Sequence, residues 1–416
     1  EIYTLSLHDA LPISFGLVRL LVKREIFNVT FNAIDKVFIA WVLIRTFAYV
    51  LGSGETETFL ERLGALYNAV GVYSLIRAVV RSFDDIIFNV KMLGLTIIPL
   101  AVPFLIEYIT GRNLFSMLGG VSEFTQIREG KYRCQGAFLH PILAGTFGAT
   151  LVPIFVGLWG YSPRDRFLAF CALLVATLIV IVSSSSGPLL AYLGTLVGLT
   201  CWMFRTHIRT IRWGIVILFL GLSVVMKAPV WFLISRVAEL TGGSGWYRSA
   251  LIDAFVSRFD EWWLIGTTHT VHWMPTGLSV NQDMTDIVNH FIAQGVSGGL
   301  LCLILFIWLI VMCFKVTGKA IRDEARFSSA ERFMIWALGC TILGHVVSFF
   351  SVSYFDQLNV FWYLLIGMIA ALVPDGRKRR ALRHRDTSRK AVLASNWARF
   401  MAGGRPSKAS WGRASF

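Results

Sequence analysis

Along most of this chain apolar residues do not alternate with polar ones but run on unbroken, as in CALLVATLIVIV and LLCLILFIWLIVMCF. Such stretches are apolar on every side of a helix, which suits lipid, whereas barrel strands would alternate in short segments. Crossing roughly 30 Å of hydrocarbon takes about 20 residues, and about ten stretches approach that length. They cover 34–52, 63–80, 92–109, 137–159, 167–182, 188–204, 213–230, 295–314, 333–350 and 358–373. The second holds Tyr67, Asn68 and Arg77, and the seventh is interrupted by Lys227 and Pro229, so these two depart most from the pattern. The expectation is an all-α integral membrane protein with about ten transmembrane helices.

One long polar stretch, 228–294, breaks the pattern. A loop of that length between spans is a usual seat of chemistry. Within it SALIDAFVSRF reads as a short amphipathic helix with Leu251, Ala254, Phe255 and Phe259 on one face, expected to lie along the membrane surface.

Composition supports the membrane reading: 55% hydrophobic residues, 15% charged and a mean hydropathy of +0.63 over 416 residues exclude a water-soluble domain. Charge then sets orientation, because short basic loops stay cytoplasmic. Lys23 and Arg24, Arg77 and Arg81, Arg164 and Arg166, Arg205 to Arg212, and Lys315 to Arg326 fall on every second connection. The 112–136 loop, the SSSSGP turn and the 228–294 loop are thereby expected outside. The tail 374–416, with RKRRALRHR, carries most of the net charge of +14. It reads as a disordered cytoplasmic segment drawn to anionic lipids of the inner leaflet, not as a nucleic-acid site. Residues 1–14 differ in composition from the rest of the chain and read as non-native, adapter-derived sequence rather than a signal peptide. The six cysteines form no disulfide framework and no spaced metal set, so neither a metal nor another cofactor is expected.

Candidate chemistry collects on the expected outer face. Arg133, a cation outside, meets either an anion or an acidic partner. His140 beside Pro141 reads as a helix-start residue or a base, and Gly145 with Gly148 as a site of close helix packing. SSSSGP is either a tight turn or backbone lining a cavity. In the long loop Arg236, Arg248 and Arg258 stand among Asp253, Asp260, Glu261, Asp283 and Asp286. Its tryptophans serve as interfacial anchors or as a platform for sugar rings. Arg248, just before the amphipathic segment, suits a phosphate cradle at a helix start. His290 follows two carboxylates and precedes a span, unlike His269 and His272. Within the spans Arg45 stands out, either paired with Glu107 or snorkelling.

Taken in order, Arg133, Gly136, Phe138, His140 and Pro141, then Ser185 to Gly187 opening a span, then GGSGWYRSALIDAF with WWLIGT, and finally VNHFIAQGVSGGLL, form one arrangement. This arrangement resembles the O-antigen ligase and O-antigen polymerase superfamily over about 33–373. The resemblance implies a GT-C-like transferase in the bacterial cytoplasmic membrane, acting outside on a glycan carried by undecaprenyl diphosphate. An acceptor hydroxyl of a lipid or glycan would attack the anomeric carbon while a base takes its proton, without a metal. It implies diphosphate-binding roles for Arg133, Arg248 and Arg236, and a base at His290, Asp286 or Asp283. Two departures stand out. Arg248 follows Trp246 where the family has arginine before tryptophan, and His290 follows Asn289 where the family has histidine first. A one-residue step on a helix turns a side chain by about 100°. A transporter of lipid-linked or anionic solutes and a non-catalytic assembly partner are the alternative readings.

Overall fold

The computed structural model describes residues 7–23, 30–54, 56–233, 236, 245–274 and 283–374. Residues through Leu372 form one compact unit, and a second begins at Val373, of which Val373 and Pro374 are described. The first unit is a bundle of helices: α1 (Leu7–Val22), α2 (Ala33–Ser53), α3 (Thr56–Val79), α4 (Phe83–Ile97) and α5 (Ala101–Thr110). A two-stranded hairpin comes next, β1 (Gln126–Arg128) and β2 (Lys131–Arg133). Then come α6 (Pro141–Tyr161), α7 (Arg166–Val182), α8 (Ser186–Thr200) and α9 (Ile208–Val225). The last are α10 (Gly245–Ser257), α11 (His290–Ile321), α12 (Ser329–Phe349) and α13 (Gln357–Ala371).

Six helical runs among the described residues are long and apolar enough to cross a membrane, and the chain is a multi-pass membrane protein of helices. They are Phe83–Thr110, Pro141–Tyr161, Pro163–Val182, Ser186–Val225, His290–Ile321 and Ser329–Phe349. The run from Ser186 has 40 residues and leaves helical geometry at Phe204, and its length is about twice what one crossing needs. The first, second and tenth expected spans also fall on helices. However, α2 and α3 carry Asp35, Arg45, Glu61 and Arg62, and α13 has only 15 residues. Helix α1 runs through Ser14, packs Ile13 against Gly71 of α3, and bonds Ser14 to the Tyr67 hydroxyl at 2.7 Å.

Helix α6 is the centre, buried nearly end to end against α7, α8 and α12. Gly145 and Gly148 make this possible. A Cβ at 148 would lie 2.6 Å from the Ala176 carbonyl, and one at 145 would lie 2.8 Å from Pro188. The helix starts are built in: Asn32 with Asp35, Ser82 with Asp85, and Ser328 with Glu331 form reciprocal capping boxes. By contrast α9 has no buried residue and exposes Trp213, Ile217, Phe219 and Val224, a composition suited to lipid contact.

Two expectations about the long loop change. The apolar face of α10 does not lie bare for a membrane surface. Leu251 and Phe255 join Trp262, Trp273, Met274, Ile292 and Val296 in a small core of their own, with Phe255 stacked on Trp262 at 3.9 Å. Phe259 stays outside that core at 44% exposure. The tryptophans divide accordingly: Trp262 and Trp273 are core residues, while Trp246 and Trp263 are exposed. Glu261 fastens this unit by accepting from Arg258, His272 and the Trp273 indole.

The second change concerns α11, which is interrupted at Gly299, where φ is +73°. The segment WWLIGT fills the break. Leu300 N–H donates to the Trp263 carbonyl at 2.8 Å, and Thr267 N–H donates to the Val296 carbonyl at 2.9 Å. Gly266 and Gly299 allow the two backbones to meet, since a Cβ at 266 would overlap Val296 and one at 299 would overlap Leu264. The broken helix therefore keeps its backbone groups satisfied by protein.

Candidate functional site

The turn at the start of α8 shows why the serine run matters. Ser184 adopts φ +44°, and Ser185 takes the N-cap position of α8. An N-cap serine ordinarily accepts from the first helical N–H groups. Ser185 does not: its hydroxyl donates to the Ser183 carbonyl at 2.9 Å and accepts from Nη2 of Arg133 at 2.8 Å. The first turn of α8 is left without a side-chain cap, its N–H groups and positive dipole end unmatched.

Two arginines converge there. Arg133, at the end of β2, is 8% exposed, and Arg248, in the first turn of α10, is 6% exposed. A Cβ on Gly187 would lie 2.5 Å from the Ser351 hydroxyl, so this glycine lets Ser351 reach the helix start, and Nη2 of Arg248 comes within 3.9 Å of the same point. The Nε of each arginine is buried without a hydrogen-bond partner, and neither forms an ion pair among the described residues. Burial first, then the charge of Arg128, lowers the pKa of both guanidinium groups. His140 caps α6 close by, its Nδ1 accepting from Ile142 N–H at 3.1 Å. Burial, then Arg133, pushes that imidazole down to about 4, so it stays neutral.

Glu107 sets the hairpin in place. Fully buried, it accepts from the Thr125 hydroxyl at 3.1 Å on one flank and from the N–H groups of Gln135 and Gly136 at 3.0 and 2.9 Å on the other. Arg45 is not its partner. The carboxylate is committed to the root of β1 and β2, while Arg45 runs beside Gly298 with its Nε unsatisfied.

Asn289 and His290 start α11 in an order the structure explains. Asn289 is the N-cap and accepts from Phe291 and Ile292 N–H groups, which turns His290 inward. His290 is 1% exposed and surrounded by Phe306, Phe349 and Tyr354. Its Nδ1 accepts from Tyr354 N–H at 3.0 Å, and its Nε2 lies 3.2 Å from the Gln294 amide. Asp286 is exposed, with its carbonyl accepting from the Tyr247 hydroxyl at 2.6 Å. The protein wall beside it desolvates the carboxyl and raises its pKa above the ordinary aspartate value.

The structure thus brings Arg133 and Arg248 together on Ser185 and Gly187. It joins them to His290 through the 351–354 segment, whose Ser351 faces Gly187 and whose Tyr354 holds the imidazole. Arg236 is exposed, on a stretch whose neighbours lie outside the described residues, and it enters none of these contacts. Of GGSG before Trp246, positions 242–244 lie outside the described residues, as do 275–282 and the basic tail from 375. Ser351 and Tyr354 belong to no local motif, and nothing in their sequence neighbourhood marks them as part of a site.

Among the described residues no three His, Cys, Asp or Glu side chains gather so as to hold a metal ion. A cavity of about 150 Å³ lies elsewhere, between Tyr49, Gly52, Thr267, Thr268 and Val296, and shares no residue with the arginine corner. Buried cations facing a bare helix start can hold a phosphate or carboxylate group. No family model, curated protein or solved structure matches the chain.

Proposed function

We propose that this chain is an O-antigen ligase- or polymerase-like membrane glycosyltransferase with a GT-C-like arrangement of about ten spans. It moves a glycan from undecaprenyl diphosphate to an acceptor hydroxyl on the outer side of the bacterial cytoplasmic membrane. The observation that carries the reading is the pair of buried arginines, Arg133 and Arg248, at the uncapped start of α8 with no carboxylate partner among the described residues. Buried cations without partners are costly, and a diphosphate offsets that cost. In the reaction the acceptor oxygen forms a bond to the anomeric carbon as the bond to the diphosphate oxygen breaks. The arginines and the α8 N–H groups stabilise the charge that grows on the leaving diphosphate. Asp286 is the carboxylate assigned as base here: its side chain is open to solvent, and the protein wall on one side raises its pKa above the ordinary aspartate value. His290 holds the 353–354 backbone beside the site.

The interrupted α11 is the feature that favours a transporter, since broken helices often line solute sites. Here the break is filled by Trp263 and Thr267 of the same chain, and this favours the transferase. The test is glycan transfer from undecaprenyl diphosphate in proteoliposomes. Arg248→Gln is expected to cut turnover about 100-fold or more. Full transfer by both Arg133→Gln and Arg248→Gln would overturn the reading.

A further inference from the structure

The hairpin that ends in Arg133 carries more charge than the arginine pair needs. Its register sets Gln126 opposite Arg133 and Arg128 opposite Lys131. Cross-strand partners share a face and residues two apart on a strand do too, so Arg128, Lys131 and Arg133 stand on one face. Ile127 and Tyr132 stand on the other. The two-residue turn, Glu129 and Gly130 with φ of +54° and +73°, closes the strands tightly. At the root both flanks are fixed on Glu107, and Cys134 N–H donates to the Val182 carbonyl at 3.0 Å. The basic face therefore has a defined aim.

Arg128 is exposed and, among the described residues, pairs with the carboxylate of its neighbour Glu129 at 3.8 Å. A contact of that kind between exposed side chains holds it weakly. Its charge is nevertheless felt by Arg133 and by Arg248, lowering the pKa of each after burial has done so. Arg128 thus shares a hairpin face with Arg133, and no carboxylate of the described residues pairs with Arg133 or Arg248.

We infer that Arg128 is a third ligand of the phosphate site, brought by the hairpin onto an anion that Arg133 and Arg248 hold from below. This rests on the phosphate reading of the site proposed above. The buried pair supplies the fixed floor, and Arg128, reaching in from solvent, supplies the part that engages on binding. The ligand class is a diphosphate, which has oxygens enough for three guanidinium groups and the α8 N–H groups at once.

The experiment is binding of inorganic pyrophosphate to the purified full chain in detergent at fixed ionic strength, read by calorimetry. Arg128→Gln is expected to weaken binding about tenfold, the worth of one charge-assisted contact, and Arg128→Lys to restore part of it. Arg112→Gln removes an equal charge near the hairpin root, where Arg112 faces Glu123 at 3.6 Å, and is expected to leave affinity within about twofold. If Arg128→Gln matches Arg112→Gln while Arg248→Gln abolishes binding, the third-ligand assignment falls and the arginine-pair site stands. Failure of the unaltered chain to bind pyrophosphate would overturn both. Melting temperatures of Arg128→Gln and Arg112→Gln, expected to equal the parent's because both side chains are exposed, separate binding loss from misfolding.

Discussion

Two buried arginine sites in this bundle are opposites. At one end Arg77 is closed into a saturated network: its Nε meets Asp35 at 2.6 Å, its Nη1 donates to the Val80 carbonyl, and the Tyr73 hydroxyl donates to the same carboxylate at 2.7 Å. Asp35 also caps α2 through Asn32 N–H. Arg133 and Arg248 are as deeply buried but meet no acid among the described residues, and each keeps an unpartnered Nε. A paired buried cation fastens helices to one another. An unpaired one is held in place by the fold against its own electrostatic interest, which is the mark of a site shaped for something the chain does not supply.

The contrast can be broken most forcefully at the saturated end. Arg77→Ala leaves Asp35 buried without its cation and is expected to cost about 3–5 kcal/mol, read as a fall in melting temperature in detergent. Replacing Asp35 and Arg77 together with Asn and Met should recover part of that loss, and a double variant as unstable as Arg77→Ala would contradict the pairing argument. Glu107→Ala comes next. It strands the N–H groups of Gln135 and Gly136, with an expected cost of about 2–4 kcal/mol, and it should also weaken pyrophosphate binding because the hairpin root loosens.

Arg248→Met tests the other side of the contrast. Stability is expected to stay within about 1 kcal/mol of the parent or to rise, since an uncompensated charge is removed while the stem's packing is kept. A loss as large as that of Arg77→Ala would show that Arg248 is structural. The remaining test is of pH. His140 sits near 4 in the fold against an ordinary 6.5, so between those values the unfolded chain binds more protons. Stability is then complete above pH 6.5 and is lost as pH falls toward 4. Melting curves taken across that range should show the decline, and His140→Asn, which can still cap α6, should flatten it.

How much of this was legible in the sequence differs between helices and site. The apolar runs announced the bundle, because lipid solubility is a property of composition and length. Arg133, Arg248 and the serine turn stood out as polar groups where the pattern allowed few. The role of Ser185 was not readable, since its hydroxyl is diverted from capping by a side chain 52 residues away. Nor was the inward turn of His290, which comes from Asn289 taking the cap. The pairing of WWLIGT with Gly299 was hidden because a glycine pair in an apolar run looks like helix packing until a second backbone is seen to fill it. Leu251 and Phe255 had the right periodicity but the wrong expected neighbour, as the loop has enough aromatics to build a core of its own.

That joint at Gly299 has a consequence for anyone exchanging parts between proteins of this architecture. Trp263 to Thr267 and Val296 to Leu300 are stitched backbone to backbone, so neither can be transplanted alone. A chimaera between two such parents will work only if Trp263–Thr267 and Val296–Leu300 come from the same parent. Inserting a single residue between Asn289 and Gly299 would rotate the cap away from the break by about 100°, uncoupling loop from helix without changing a single side chain in either.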